Sequence, residues 1–189
     1  MKLVFATHNQ NKLLEVKALL PKSIELLSLD DIGCTEEIPE TSDTIEGNAI
    51  QKANYVSEKY NVNCFADDTG LEVKALNDEP GVLSARYAGP DKDSKANITK
   101  LLEALKDEND REARFKTAIA VNIQREKILF VGIANGAISN EERGNKGFGY
   151  DPIFIPEGYD KTFAELPLSV KNKISHRAKA MHQLIDYLK

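Results

Sequence analysis

The sequence predicts a mixed α/β fold, a sheet with flanking helices, in one domain over residues 1–189. Three observations lead there. Short apolar runs alternate with segments whose apolar residues recur at helical spacing. Two of the runs, Phe115–Gln124 and Lys127–Ile138, are joined only by a polar turn at Arg125-Glu126. Such a hairpin makes at least part of the sheet antiparallel. No repeat, low-complexity tract or Pro/Gly-rich linker divides the chain.

The elements follow in order. Leu3–Ala6 reads as a short buried strand, and Thr7–Gln10 as a polar loop. Asn11–Leu20 carries Leu13, Val16 and Leu20 at helical spacing, and Pro21 ends it. Ile24–Ser28 is a second strand, and 30–43 an acidic loop. Asp43 or Thr44 caps a helix reaching about Tyr60, with Ile45, Ala49, Val56 and Tyr60 near one face. Cys64-Phe65-Ala66, then Asp67–Gly70, then Leu71–Ala75 reads as strand, turn, strand. Pro80–Pro90 is a loop. Asp91–Asp107 is a helix buried along Ile98, Leu101, Leu102 and Leu105. After the hairpin, Asn140–Tyr150 is a glycine-containing loop. Ser175 opens a last helix with Met181, Leu184, Ile185 and Leu188 inward. The resulting order is β-α-β-α-β-β-α-β-β-α.

Composition narrows the function classes. The chain is 41% hydrophobic and 29% charged, within the range of folded globular proteins. Lys plus Arg number 25 against 30 Asp plus Glu, a net charge of −5, which argues against binding a nucleic acid polymer by bulk electrostatics. Cys34 and Cys64 have no metal-ligand spacing and are expected as reduced thiols. The apolar N-terminal stretch is too short for a signal peptide. The best apolar run, Ile128–Ala134, is far below the roughly 20 residues of a membrane helix. A cytoplasmic location without membrane association is expected. Asn97-Ile98-Thr99 matches a glycosylation acceptor and is taken as chance.

The common catalytic signatures are absent: there is no G-x-x-x-x-G-K-[ST], H-E-x-x-H or G-x-S-x-G. Gly147-Phe148-Gly149 begins like a dinucleotide fingerprint, but Pro152 stands in place of the third glycine. Four polar clusters remain. Thr7-His8-Asn9-Gln10-Asn11-Lys12 links a strand to a helix. Backbone N–H groups at a helix start attract anions, and Lys12 adds charge where the helix dipole disfavours it. On this segment alone a plain polar loop with a solvated lysine is the better reading. Asp67-Asp68 can serve one ligand only if the backbone turns, which Gly70 permits. One acid can then bind Mg²⁺ or activate water while the other supports it, with Glu40 and Glu46 as further oxygen donors. A solvated acidic turn is the alternative. Gly147–Phe154 sets an aromatic between glycines, suited to stacking on a base or to packing inward. Lys171–Arg177 gathers donors where a helix begins, suited to phosphate or a keto-bearing base, or to solvent.

Taken together in this order, the clusters resemble the inosine triphosphate pyrophosphatases, hydrolases of non-standard purine nucleoside triphosphates. The shared motifs run from Thr7 almost to the C-terminus. They are T-x-N-x-x-K at 7–12, E-T-x-x-T at 40–44, N-A-x-x-K-A at 48–53 and A-D-D-T-G-L at 66–71. Pro80-Gly81, Ser84–Tyr87, Gly147–Phe154, Phe163–Leu166 and Ser175–Ala178 follow.

The resemblance implies Mg²⁺-dependent hydrolysis of ITP, dITP or XTP to the monophosphate and pyrophosphate, cleansing the nucleotide pool. It implies a homodimer, and two lobes around a central cleft. By position, Thr7, His8, Asn9, Gln10, Asn11 and Lys12 hold the triphosphate. Asp68 is the general base and a metal ligand, supported by Asp67, and Glu40 is the second ligand. Lys52, Thr69, Phe148, Gly149, Tyr150, Asp151 and Lys171 contact substrate, while His176 and Arg177 contact the base. Donors there would pair with a 6-keto oxygen and clash with the amine of adenine. Ser42, Ile45 and Gly47 depart from the family's usual Gly, Phe and Glu beside Glu40. A pyrophosphatase of pyrimidine or other base preference, or a non-catalytic nucleotide-binding module, stands as the alternative.

Overall fold

A computed structural model describes residues 1–124 and 126–189. Arg125, half of the expected Arg125-Glu126 turn, lies outside the described residues. The strands are β1 (Lys2–Phe5), β2 (Glu25–Leu27), β3 (Cys64–Val73), β4 (Glu79–Pro80), β5 (Glu112–Ile123), β6 (Glu126–Ile138) and β7 (Phe154–Pro156). The helices are α1 (Gln10–Leu19), α2 (Ile45–Tyr60), α3 (Ser94–Ala104), α4 (Leu168–Ile174) and α5 (His176–Tyr187). The chain divides into two compact units. The first holds Met1–Asp68, Thr117–Gly132 and Arg177–Lys189; the second holds Thr69–Lys116 and Ile133–His176.

In the first unit the strand order is β2-β1-β3-β5-β6. β1 pairs in parallel with both β2 and β3. Side chains of a strand alternate between faces, and here the two faces do different work. Leu3, Phe5, Phe65, Ile119, Val121 and Ile123 pack against Val16 of α1 and Ala180, Met181 and Leu184 of α5. The Phe5 and Phe65 rings stack 4.5 Å apart within this layer. The opposite face is built from small residues, Cys64, Ala66, Ala118 and Ala120, all buried. α2 lies on that side. The Cys64 thiol donates to the Ala53 carbonyl at 3.2 Å, and Asn122 Nδ2 reaches Asn54 Oδ1 and Ser57 Oγ. Both cysteines are buried and free.

The second unit has the order β4-β3-β5-β6-β7, with β3–β4 and β6–β7 antiparallel. The sheet is therefore mixed, as the hairpin required. The core joins Leu71, Val73, Phe115, Phe154 and Phe163 to Ile98, Leu101 and Leu105 from α3 and its end. Asn97 is buried and bonds the backbone of Ala85 and Ala88, so in the folded chain it is a structural latch and its tripeptide no glycan acceptor.

Several expectations need correction. β3 is one uninterrupted ten-residue strand where a turn at Asp67–Gly70 was expected. The acids are held by cations on opposite faces, so neither needs the chain to bend. β7 and α4 were not anticipated, since each is short and α4 is largely polar. Ser175 closes α4 with extended backbone, one residue ahead of α5. Asp93 caps α3, which is shorter at both ends than its apolar spacing suggested. Thr44, not Asp43, caps α2. Among the described residues no helix is long and apolar enough to cross a membrane.

Candidate active site

β3 places Asp67 and Asp68 back to back. Asp67 is 1% exposed and faces the α1/α5 layer. Its Oδ1 accepts from Lys12 Nζ at 2.9 Å and its Oδ2 from Arg177 Nε at 3.0 Å. Arg177, 2% exposed, also donates from Nη1 to Glu15 Oε2 at 2.5 Å. Burial alone would push the Asp67 carboxyl up, but Lys12, Arg177 and Lys52 outweigh it and hold the acid well below the usual carboxylate range. Burial also lowers the Lys12 ammonium, only partly opposed by Asp67. The array is a buried charge cluster that satisfies itself. Glu15 is a member that sequence reasoning missed. Its signal was present: it follows Lys12 by three positions on α1, hence on the same face.

Asp68 faces α2. The small residues on that side of the sheet suit a close helix, and Lys52 reaches across with Nζ 3.6 Å from Asp68 Oδ1. The same ammonium bonds Glu40 Oε1 at 2.5 Å. Burial raises the Asp68 carboxyl above its ordinary value, and Lys52 and Lys12 only partly counter it. Lys52 goes up despite its burial, because Asp68, Glu40 and Asp67 surround it. Two carboxylates thus converge on one cation. Hard oxygen donors in that arrangement suit Mg²⁺, which typically takes one or two carboxylates and fills its shell with water and phosphate oxygens. Among the described residues no group of three or more His, Cys, Asp or Glu can hold a metal by itself. Substrate oxygens would have to complete the shell.

The Thr7–Lys12 loop differs from its expectation in one respect. Asn9 caps α1, its Oδ1 accepting from the amides of Asn11 and Lys12 at 3.0 and 3.2 Å. Those two N–H groups are engaged by the loop itself. Lys12 is a half-buried ion-pair partner, not a solvated lysine. Thr7 Oγ1 accepts from the Asn9 amide, and His8 Nε2 donates to the Glu36 carbonyl at 2.9 Å. Gln10 and Asn11 are exposed at the helix start.

The departures at Ser42 and Gly47 explain each other. A Cβ added at Gly47 would lie 1.9 Å from Ser42 Oγ and 2.8 Å from the Thr44 cap hydroxyl. Ser42 Oγ accepts from the Thr44 amide, and Thr44 Oγ1 accepts from the Gly47 amide. A side chain at 42 therefore demands its absence at 47. Ile45 is buried at the first turn of α2, so the position asks for an apolar side chain.

The second unit carries its own cluster. Asp151 Oδ2 accepts from Lys171 Nζ at 2.5 Å and from the Phe148 amide at 2.9 Å. Both charged residues are nearly sealed, at 3% and 4% exposure. The Lys171 ammonium lies 5.1 Å from the Phe148 ring centroid, a cation–π contact. Phe148 and Gly149 are half-buried. A side chain at Gly147, whose φ is +72°, would strike Asp151. Tyr150 is buried and donates its hydroxyl to the Ser84 carbonyl at 2.7 Å, a structural bond. The His176 ring stacks on Phe115 at 4.5 Å and is 4% exposed. Thr69 is half-buried, next to Asp68 on β3. Arg177, expected to contact the base, bonds Asp67 and Glu15.

A model of the Ham1 family matches residues 3–187. A dITP/XTP pyrophosphatase of Flavobacterium johnsoniae is 60% identical over 188 residues, covering 100% of this chain and 98% of that one. One from Bacillus subtilis is 50% identical, covering 98% and 96%. The Staphylococcus aureus Ham1 protein superposes with a TM-score of 0.90 at 40% identity, covering 100% and 98%. A HAM1 protein from Coxiella burnetii gives 0.91 at 39%, with the same coverage.

Proposed function

The chain belongs to the Ham1 family, and from that premise we propose that it hydrolyses dITP, XTP and ITP to the nucleoside monophosphate and pyrophosphate. The observation that carries the chemistry is the convergence of Glu40 and Asp68 on the Lys52 ammonium. Water adds to phosphorus and one bond of the anhydride bridge between the α and β phosphates breaks. Asp68 takes the proton from that water; burial strengthens it as a base, and Lys52 keeps it ionised. Lys12 and Lys52 offset triphosphate charge. Glu40 and Asp68 would hold Mg²⁺, which when bound supplies charge neutralisation at the phosphate oxygens.

Asp67 does not touch the reaction in this reading. It fixes Lys12, and Arg177 in turn fixes Asp67. His176 and Arg177 are the residues assigned to the base, and Lys52, Thr69, Phe148–Asp151 and Lys171 those assigned to the rest of the substrate. A site that pairs a 6-keto oxygen with a donor leaves that donor unpaired against adenine, which discriminates strongly. Homodimerisation and a cytoplasmic setting belong to the same proposal.

The test is direct. Purified protein with Mg²⁺ is given ITP, XTP, dITP, GTP, ATP, dTTP and UTP, and pyrophosphate is measured against orthophosphate. Pyrophosphate from ITP, XTP and dITP is expected. Orthophosphate release, a pyrimidine preference, or binding without turnover would overturn the reading.

A further inference from the structure

The segment leading to Glu40 has no regular structure after Gly33, yet its far end must present a carboxylate at a fixed place. Glu36 anchors it. Three side chains of α2 converge on that one carboxylate: Lys59 Nζ at 2.6 Å, Tyr55 Oη at 3.1 Å, and Tyr60 Oη at 2.8 and 3.0 Å from its two oxygens. Lys59 also donates to Tyr55 Oη at 3.1 Å. Tyr55 and Lys59 are four apart and Tyr60 adjoins them, so α2 offers one ready-made cradle.

Glu36 is tied at its backbone as well. A carbonyl can only accept, so His8 must carry its proton on Nε2 to make the 2.9 Å bond to Glu36 O. His8 belongs to the Thr7–Lys12 loop. One residue thus joins three parts: α2, the strand-to-helix loop that carries Lys12, and the segment ending in Glu40. Glu40 returns to α2 through Lys52, which closes a ring of contacts around residues 36–40.

We propose that Glu36 is a positioning residue for the hydrolysis, setting the place of the Glu40 carboxylate relative to the Thr7–Lys12 loop. The inference rests on the reading above, in which Glu40 is a metal ligand and the loop binds phosphate. Side chains that orient metal ligands typically change metal affinity more than the chemical step. Glu36 touches neither substrate nor metal, so its effect should appear in the Mg²⁺ requirement before it appears in kcat.

The experiment compares the wild type with Glu36→Ala and Glu36→Gln. Gln keeps an acceptor for the tyrosines and loses the lysine pair; Ala loses both. The Mg²⁺ concentration giving half-maximal pyrophosphate release from dITP is measured, together with kcat at saturating Mg²⁺. Amide hydrogen exchange over 34–41 is followed in the absence of metal and substrate. For Glu36→Ala the Mg²⁺ midpoint should rise about tenfold while kcat stays within about twofold. Exchange over 34–41 should speed up while the amides of α2 keep their protection. Glu36→Gln should fall between, a partial rescue that mere loss of stability would not produce.

Unchanged exchange, or faster exchange with an unchanged Mg²⁺ midpoint, overturns the proposal. Equal losses in kcat and thermal stability with the midpoint unmoved do the same. If the wild type itself releases no pyrophosphate, the reading of the function fails first and the positioning role falls with it. That outcome is distinct from a wild type that turns over while Glu36→Ala matches it.

Discussion

Arg177→Met tests the buried charge cluster most severely. Arg177 is 2% exposed and bonds two carboxylates, Asp67 at 3.0 Å and Glu15 at 2.5 Å. Methionine fills much of the same space and supplies no charge. Removing one partner of a buried ion pair leaves the other uncompensated, which costs about 3–5 kcal/mol. For a chain of this size each kcal/mol moves the thermal midpoint by about 2–4 °C, so a drop of roughly 6–20 °C is expected.

The pH dependence carries a sign. In the wild type the folded Asp67 sits below its ordinary value, so its contribution is fully present above the unfolded pKa and is lost as pH falls through the folded one. In the variant the cation is gone and burial acts on Asp67 with less opposition. The deficit should therefore be largest near neutral pH and shrink toward pH 4. Urea unfolding at several pH values, with differential scanning fluorimetry alongside, measures both. Adding Asp67→Asn to Arg177→Met should recover part of the stability. A loss under about 1 kcal/mol, a pH-independent loss, or no recovery in the double variant would refute the argument.

Asp68→Asn should lower turnover by about 10²–10⁴-fold with the fold intact; near-wild-type rates would remove Asp68 as the base. Gly47→Glu should destabilise by about 1–3 kcal/mol through overpacking against Ser42, and Ser42→Gly should restore most of it. A thermodynamic cycle showing no coupling would disprove the paired reading of these positions. Lys171→Met takes away the ammonium that faces the buried Asp151 carboxylate, so about 3–5 kcal/mol of stability should be lost, with Lys171→Met/Asp151→Asn less affected; equal losses in the two would contradict it. Glu36 is held down to about 2, chiefly by Lys59 with help from its own backbone amide and Tyr60. Its contribution is fully present above the unfolded carboxylate pKa and declines progressively as pH falls from there through about 2. A carboxyl NMR titration showing a midpoint near 4.5 would refute that assignment.

Periodicity made most elements legible. The Leu13/Val16 spacing of α1, the Ile45/Ala49/Val56 stripe of α2 and the adjoining runs of β5 and β6 all folded as their patterns indicated. What failed were places where short-range chemistry pointed one way and distant charge the other. Asp-Asp-Thr-Gly is good turn chemistry, yet Lys12, Arg177 and Lys52 satisfy both acids without a turn. The three cations come from α1, α5 and α2, and no window of sequence contains them. The site was legible as residue types in order, through Lys12, Glu40, Lys52 and Asp68. Its electrostatic division was not, because the spacing of Glu15 from Lys12 is only a local hint, and the partners that give Glu15 and Glu36 their places, Arg177 and Lys59, stand far along the chain.

The continuity of β3 through both acids restricts how this chain can change length. Neighbouring positions on a strand look in opposite directions, so a single-residue insertion or deletion between Cys64 and Ala66 would exchange the duties of the two acids. The proton acceptor would be buried among Lys12, Arg177 and Glu15, and the counter-ion would be turned toward Lys52. Changes of two residues preserve the assignment and changes of one invert it. In the exposed loop 106–110 length drift of either parity leaves the two acids where they are, whereas this stretch obeys an even-number rule. A library of β3 length variants, sorted separately for folding and for turnover, should show that alternation.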